Sequence, residues 1–258
     1  MKKGNLKYTI MTVMTFVIFI VLWQLLAMKN IIVGEYTPSP QEVLQAFKFK
    51  MNNVGPDGNL LTTNILASLK ISLSGFALAV VIGVPLGLLM GWYQLLDRFI
   101  RPVFEIVRPI PAVSWIPLMI VWIGVGTEAK VVIIFLTAFI PCVLNSYTGI
   151  KQTSPVLINV AKVYGASNFY TFLHVGIPSS VPMIFAGMRI ALASSWSCLV
   201  AAEMLAASAG LGYMINMGRN FGRADVVVLG MVVIGIIGFV FTTIFSWIEK
   251  IVVRGGVV

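Results

Sequence analysis

Charged residues leave six long gaps along the chain, at 8–28, 71–96, 109–127, 131–150, 163–188 and 226–248. A seventh apolar run, 187–207, is broken only by Arg189 near its start and Glu203 near its end. A helix needs about 20 residues to cross the hydrocarbon of a bilayer. The gap 163–188 is charge-free but reads VYGASNFYTFLHVGIPSSVPMIFAGM, where Asn168, His174, paired serines, Pro178 and Pro182 interrupt an apolar helix. It reads as a loop with short helices over 151–182, which leaves six crossings. The spans are expected near 8–28, 65–92, 109–126, 130–150, 183–207 and 226–248, in one transmembrane domain over 1–258, with no soluble domain and no tandem repeat.

Lysine and arginine placement orients these spans. Lys2, Lys3, Lys7, Arg98, Arg101, Arg108, Lys151, Lys162, Arg189, Lys250 and Arg254 fall inside if both termini are cytoplasmic. Lys29, Lys48, Lys50, Lys70, Lys130, Arg219 and Arg223 then fall outside. That is the bias of a positive-inside protein. A seventh crossing would move Lys250 and Arg254 outside. The apolar length of the first run exceeds the roughly 7–15 residues of a signal-peptide core, so it reads as an anchor. Composition agrees: 59% of the 258 residues are hydrophobic and 10% charged, with mean hydropathy +0.96. A soluble domain carries about 25% charged residues, so a soluble enzyme, a nucleic-acid-binding domain and a disordered chain are excluded despite the net charge of +9. Cys142 and Cys198 lie in apolar runs and read as inert buried thiols.

Several positions carry candidate roles. Gly83, Gly87 and Gly91 repeat at spacing four around Pro85, a face that brings backbones close within one subunit or at a dimer seam. The fifth span has a similar face: Gly187, Ala191 and Ser195, with Ser194, Cys198 and Ala202 one step round. Its hydroxyls either line a polar path or bond back to their own helix. Three prolines and Trp115 crowd the short third span, as in the broken helices around transport routes. Trp115, Ser194, Ser195 and Glu203 are therefore candidates for a translocation path. Glu203 also suits a structural cap for the following SAGLGY turn. A charge at mid-membrane costs roughly 2.5–3.5 kcal/mol, so its place near the outer end matters. His174 stands alone, without partners for metal or catalysis.

The segment 151–182 carries Tyr164, Phe169, Tyr170 and Phe172 but little charge. An uncharged aromatic loop facing water packs under its own spans or docks into a partner's groove. Residues 159–178, NVAKVYGASNFYTFLHVGIP, resemble the EAA loop of permease subunits of ATP-binding cassette (ABC) importers. That loop runs E-A-A, three residues, Gly, nine residues, Ile-x-Leu-Pro. Ala161, Gly165 and Pro178 match, Val175 and Ile177 are conservative replacements, and Asn159 and Val160 replace the Glu and first Ala. RPIPAVSWIPLMIVWIGVG (108–126), GMRIALASSWSCLVAAEMLAASAGLGYMI (187–215) and PSPQEVLQAF from Pro38 are similar to the branch serving nitrate, sulfonate and taurine.

The resemblance implies an all-α integral membrane protein with the type I ABC importer permease fold, in the plasma membrane of a bacterium. It implies that two permease subunits, as a homodimer, form the route. Two ATPase subunits bind below, and an extracytoplasmic binding protein delivers a small anion or organic solute. Asn159, Ala161, Gly165, Ala166, Ser167, Phe169, Tyr170 and Pro178 would couple the spans to the ATPase, with Gly165 at the turn of a coupling helix. ATP and Mg would sit on the ATPase, with no cofactor on this chain. The sequence lacks a G-x-x-x-x-G-K-[ST] loop and paired catalytic carboxylates, so the chain is expected not to be an enzyme. The main rival is an ion-coupled secondary transporter, for which Glu203 is the one intramembrane acid. A membrane enzyme and a channel lack the polar cluster or charged ring that each needs.

Overall fold

The computed structural model describes residues 3–28 and 37–254. Lys2, Lys29 and the C-terminal residues after Arg254 lie outside them. The described residues form helices α1 (Lys3–Met28), α2 (Pro40–Asn52), α3 (Leu61–Trp92), α4 (Gln94–Val107), α5 (Ile116–Ile123) and α6 (Thr127–Lys151). Then follow α7 (Pro155–Val163), α8 (Asn168–Thr171), α9 (Ile177–Ala206), α10 (Leu211–Asn220) and α11 (Ala224–Arg254). A 3₁₀ turn (Ala112–Trp115) precedes α5, and a π-helical turn (Phe172–Gly176) joins α8 to α9.

The bundle is built on α6, which lies between α3 and α9. In lipid, helix association rests on close packing, because hydrocarbon tails are as apolar as leucine. Small residues supply that closeness. A Cβ on Gly75 would sit 2.7 Å from Ile134 Cβ, and one on Gly83 would sit 3.1 Å from Cys142 Cβ. At Gly87 and Gly91 it would collide with the Val143 carbonyl and with Ile150. On the far side of α6, a Cβ on Gly149 would meet Met183 Cβ at 2.8 Å, and one on Gly187 would meet the Pro141 carbonyl at 2.9 Å. The glycine faces of α3 and α9 are thus filled within the subunit. Cys142 and Cys198 are free and buried, and Arg189 pairs with Glu249 to tie α9 to α11.

Two expectations differ from the structure. The stretch 168–205 is long and apolar enough to cross a membrane as one helical unit, where the sequence pattern predicts a loop as far as residue 182. The residues read as breakers are accommodated. The π turn lets the Ile177 amide donate to the Phe172 carbonyl, and Pro178 falls in the first turn of α9, where a missing N–H costs little. The serines then donate to backbone carbonyls: Ser179 Oγ to Val175 at 2.6 Å, and Ser180 Oγ to Gly176 at 3.1 Å and to Ile177 at 2.8 Å. Such back-bonds satisfy the hydroxyls within the helix itself.

The third crossing also differs. Within 109–126 only the 8 residues of α5 are α-helical, about 12 Å of rise and too short to span. The region 93–108, expected as a turn, forms α4, and the axes of the two helical pieces meet at 82°. Pro109 and Pro111 explain the break, since neither can continue the ladder of α4. Five helical stretches among the described residues can cross a bilayer, or six if the bent pair counts as one crossing. α4 turns Leu95, Phe99, Val103 and Ile106 outward, and α1 exposes nearly every apolar side chain between Ile10 and Leu22. In water such surfaces would aggregate; against lipid or protein they are the expected finish.

Candidate functional site: the segment below α6 and α9

Residues 155–171 form a helix–turn–helix whose geometry follows from a few positions. Pro155 starts α7, where its missing N–H is harmless. α7 ends in a Schellman motif: the Gly165 amide donates to the Lys162 carbonyl at 2.9 Å and the Ala166 amide to the Ala161 carbonyl at 3.0 Å. Gly165 has φ +76°, the left-handed region that only glycine enters without strain. Ser167 then caps α8, its hydroxyl accepting from the Tyr170 amide at 3.2 Å. Together Ala161, Gly165, Ala166 and Ser167 set the angle between two short helices.

The outer surface of this unit is apolar and open. Val156, Leu157, Val160, Val163, Tyr164, Phe169 and Tyr170 are all exposed, Val163 by 85% and Tyr164 by 86%. Asn159 and Pro178 are exposed as well. His174 stacks on Tyr170 with ring centroids 4.0 Å apart. Lys162 is the one charged side chain between Lys151 and Arg189. The opposite edge is anchored. Phe172 is buried with Leu88 and Ile150, and Trp92, the last residue of α3, packs against them. The Trp92 indole Nε1–H donates to Asn168 Oδ1 at 3.1 Å.

At the other end of the bundle, Glu203 is fully buried. Its Oε1 accepts from Ser68 Oγ at 2.7 Å and its Oε2 from the Gly212 amide at 2.8 Å. Ser68 Oγ accepts from the Leu211 amide at 2.9 Å, and Asn64 Oδ1 accepts from the Gly210 amide at 3.0 Å. Three successive amides at the start of α10 therefore point at side chains of α3 and α9, a cap reinforced by a carboxylate at the positive end of a helix. Gly210 has φ +130°, and a Cβ there would collide with the Glu203 carboxyl. The network continues outward: Asn64 Nδ2 donates to Asp57 at 2.7 Å, and Asp57 pairs with buried Lys50. At the foot of α11, Arg223 chelates Asp225 at 2.9 and 2.7 Å; that hydrogen bond raises the guanidinium pKa above its ordinary value.

The four residues expected along a route lie on α9 and on the 3₁₀ turn before α5, two elements that touch. Ser195 and Glu203 are fully buried. Ser194 is half-buried, and Trp115 lines an apolar cleft of about 270 Å³ with residues of α3, α4 and α6. The Ser195 hydroxyl is buried without a hydrogen-bond partner, while Ser197 donates to the Ala193 carbonyl at 3.1 Å. Sequence reasoning missed Asn64, Ser68 and Trp92. Asn64, Ser68 and Ser72 recur at spacing four on α3, a polar stripe in an apolar helix that was the available signal. Among the described residues, no group of three or more His, Cys, Asp or Glu side chains comes together as metal ligands do.

Known proteins are similar to this chain in sequence and in fold. The family model for the binding-protein-dependent transport system inner membrane component covers residues 83–255. The taurine transport system permease protein TauC of Escherichia coli is 36% identical over 87% of this chain and 82% of its own. A nitrate import permease protein, NrtB of Synechocystis, is 32% identical over 92% and 86%. A solved chain of the inward-facing MetNI methionine ABC transporter superposes with TM-score 0.66 over 74% of this chain and 95% of that one, at 21% identity. The last likeness establishes the fold.

Proposed function

The chain belongs to the family of binding-protein-dependent transport system inner membrane components, and from that premise we propose how it works. It is a multi-pass membrane subunit of an ABC importer, paired with a second permease subunit that is a copy of itself. Both termini face the cytoplasm. Two ATPase subunits, which hold ATP and Mg, bind beneath the pair, and a binding protein delivers a small anion or organic solute of the nitrate, sulfonate or taurine type from outside. The observation that carries this reading is the open aromatic surface of 155–171. Tyr164 and Phe169 are too exposed to belong to this chain's own core, and lipid is not their neighbour if the helix–turn–helix hangs below the spans. A hydrophobic groove on a soluble partner is their natural cover. Movement of that partner would reach α9 directly, because α8, the π turn and α9 are continuous.

Reconstitution tests the proposal. Proteoliposomes containing the permease, the ATPase subunit and the binding protein should accumulate radiolabelled taurine or nitrate only when ATP is supplied on the ATPase side. Accumulation by the permease alone, driven by an ion gradient, would refute it.

A further inference from the structure

The helix–turn–helix is attached to the bundle through a π turn. A π turn is a rare departure from the α-helix and is frequently found at functional sites. Residues 172–176 are such a turn, and side-chain contacts beside it add to the backbone connection in setting the angle of the unit. Trp92 spans this point. It bonds to Asn168 ahead of the turn, its ring lies 5.6 Å from that of Phe172 within it, and a Cβ on Gly176 at its end would come 2.9 Å from the indole. Tyr93 approaches Phe172 as well, with centroids 5.9 Å apart. Trp92 belongs to α3, so these contacts join a second transmembrane helix to the segment.

We infer that Trp92 is a positioning residue, which fixes the angle at which residues 155–171 are presented to the ATPase subunit through its hydrogen bond to Asn168. The inference rests on the docking role proposed above. It assigns α3, and not α9 alone, to the mechanical link. The indole N–H is the specific element: a phenyl ring keeps the packing on Phe172 and Gly176 but has no donor for Asn168.

The test is a double-mutant cycle, read as the dissociation constant of the ATPase subunit for full-length permease in nanodiscs. Asn168→Ala should weaken binding roughly fivefold, the effect of one net hydrogen bond. Asn168→Asp keeps an acceptor for the indole and should lose less affinity than Asn168→Ala. Trp92→Phe should match Asn168→Ala, and the double variant should be no weaker than either. Asn168 is exposed, so the melting temperature of Asn168→Ala permease should fall by no more than a few degrees, which separates positioning from plain stability. Wild-type binding by Asn168→Ala, equal losses for Ala and Asp, or multiplying losses in the double variant would overturn the inference. A Lys162→Cys variant, joined to neighbouring amines in the same complexes by a maleimide–succinimidyl ester reagent, separates the two levels. If no cross-link to the ATPase forms, the docking role itself is wrong. If it forms while the cycle shows no coupling, only the role of Trp92 falls.

Discussion

Gly165→Val is expected to uncouple the permease from its ATPase while leaving the membrane bundle intact. The reason is conformational and not steric. No atom lies within 4 Å of where a Cβ would sit, but φ is +76°. The left-handed region costs an L-residue about 1–2 kcal/mol, and a β-branched residue is a genuine outlier there. Relief of that strain breaks the two Schellman bonds from Gly165 and Ala166 and swings α7 away from α8. Each 1.4 kcal/mol is tenfold in binding, so affinity for the ATPase subunit should fall by about tenfold or more. Uptake per ATP hydrolysed should collapse. Gly165→Asn should lie between, since asparagine tolerates the left-handed region. The checks are ATPase co-purification and the ratio of uptake to hydrolysis. Normal values for Gly165→Val would place the coupling elsewhere.

Glu203 variants should separate a cap from a proton relay. Glu203→Ala removes the acceptor for both Ser68 and the Gly212 amide. Each buried donor left unsatisfied costs about 1–3 kcal/mol, and the vacated volume adds to this. Detergent-solubilised permease should show a large drop in melting temperature, and assembly should be poor. Glu203→Gln keeps one carbonyl acceptor and turns an NH₂ toward one of the two donors, so it should lose part of that stability and still transport. Thermal unfolding and uptake measured on the same preparations decide the matter. Normal assembly and normal ATP hydrolysis with abolished uptake in Glu203→Gln would instead argue for the relay.

Much of this organisation is legible in the chain because membrane insertion imposes a coarse rule. Charges punctuate spans, and the runs around α3, α6 and α11 stand out on that basis alone. The turn at Gly165 is legible through the resemblance that marks it, and the bonds that build it reach only neighbours within five residues. Two kinds of feature are not local and leave weaker marks. Ser68 meets Glu203 across 135 positions and Trp92 meets Asn168 across 76; nothing near either residue announces its partner. Proline signals mislead in the opposite direction. Pro178 and Pro182 look like breakers, yet Pro178 falls in the first turn of α9 and Pro182 lies inside that helix. Pro109 and Pro111 do break the backbone, and α4 forms ahead of them where the charge pattern predicts only a turn. The glycines at 83, 87 and 91 mark a close-packed face without naming α6 as what fills it.

Sidedness of the helix–turn–helix is the most direct test of this account. Cys142 and Cys198 are buried, so a Tyr164→Cys variant supplies the single accessible thiol for a membrane-impermeant maleimide. The thiol should react in inside-out vesicles, stay silent in right-side-out ones, and be protected when the ATPase subunit is bound. Labelling from the outer face, or undiminished labelling with the ATPase in place, would contradict the claim that the permease is driven through this surface.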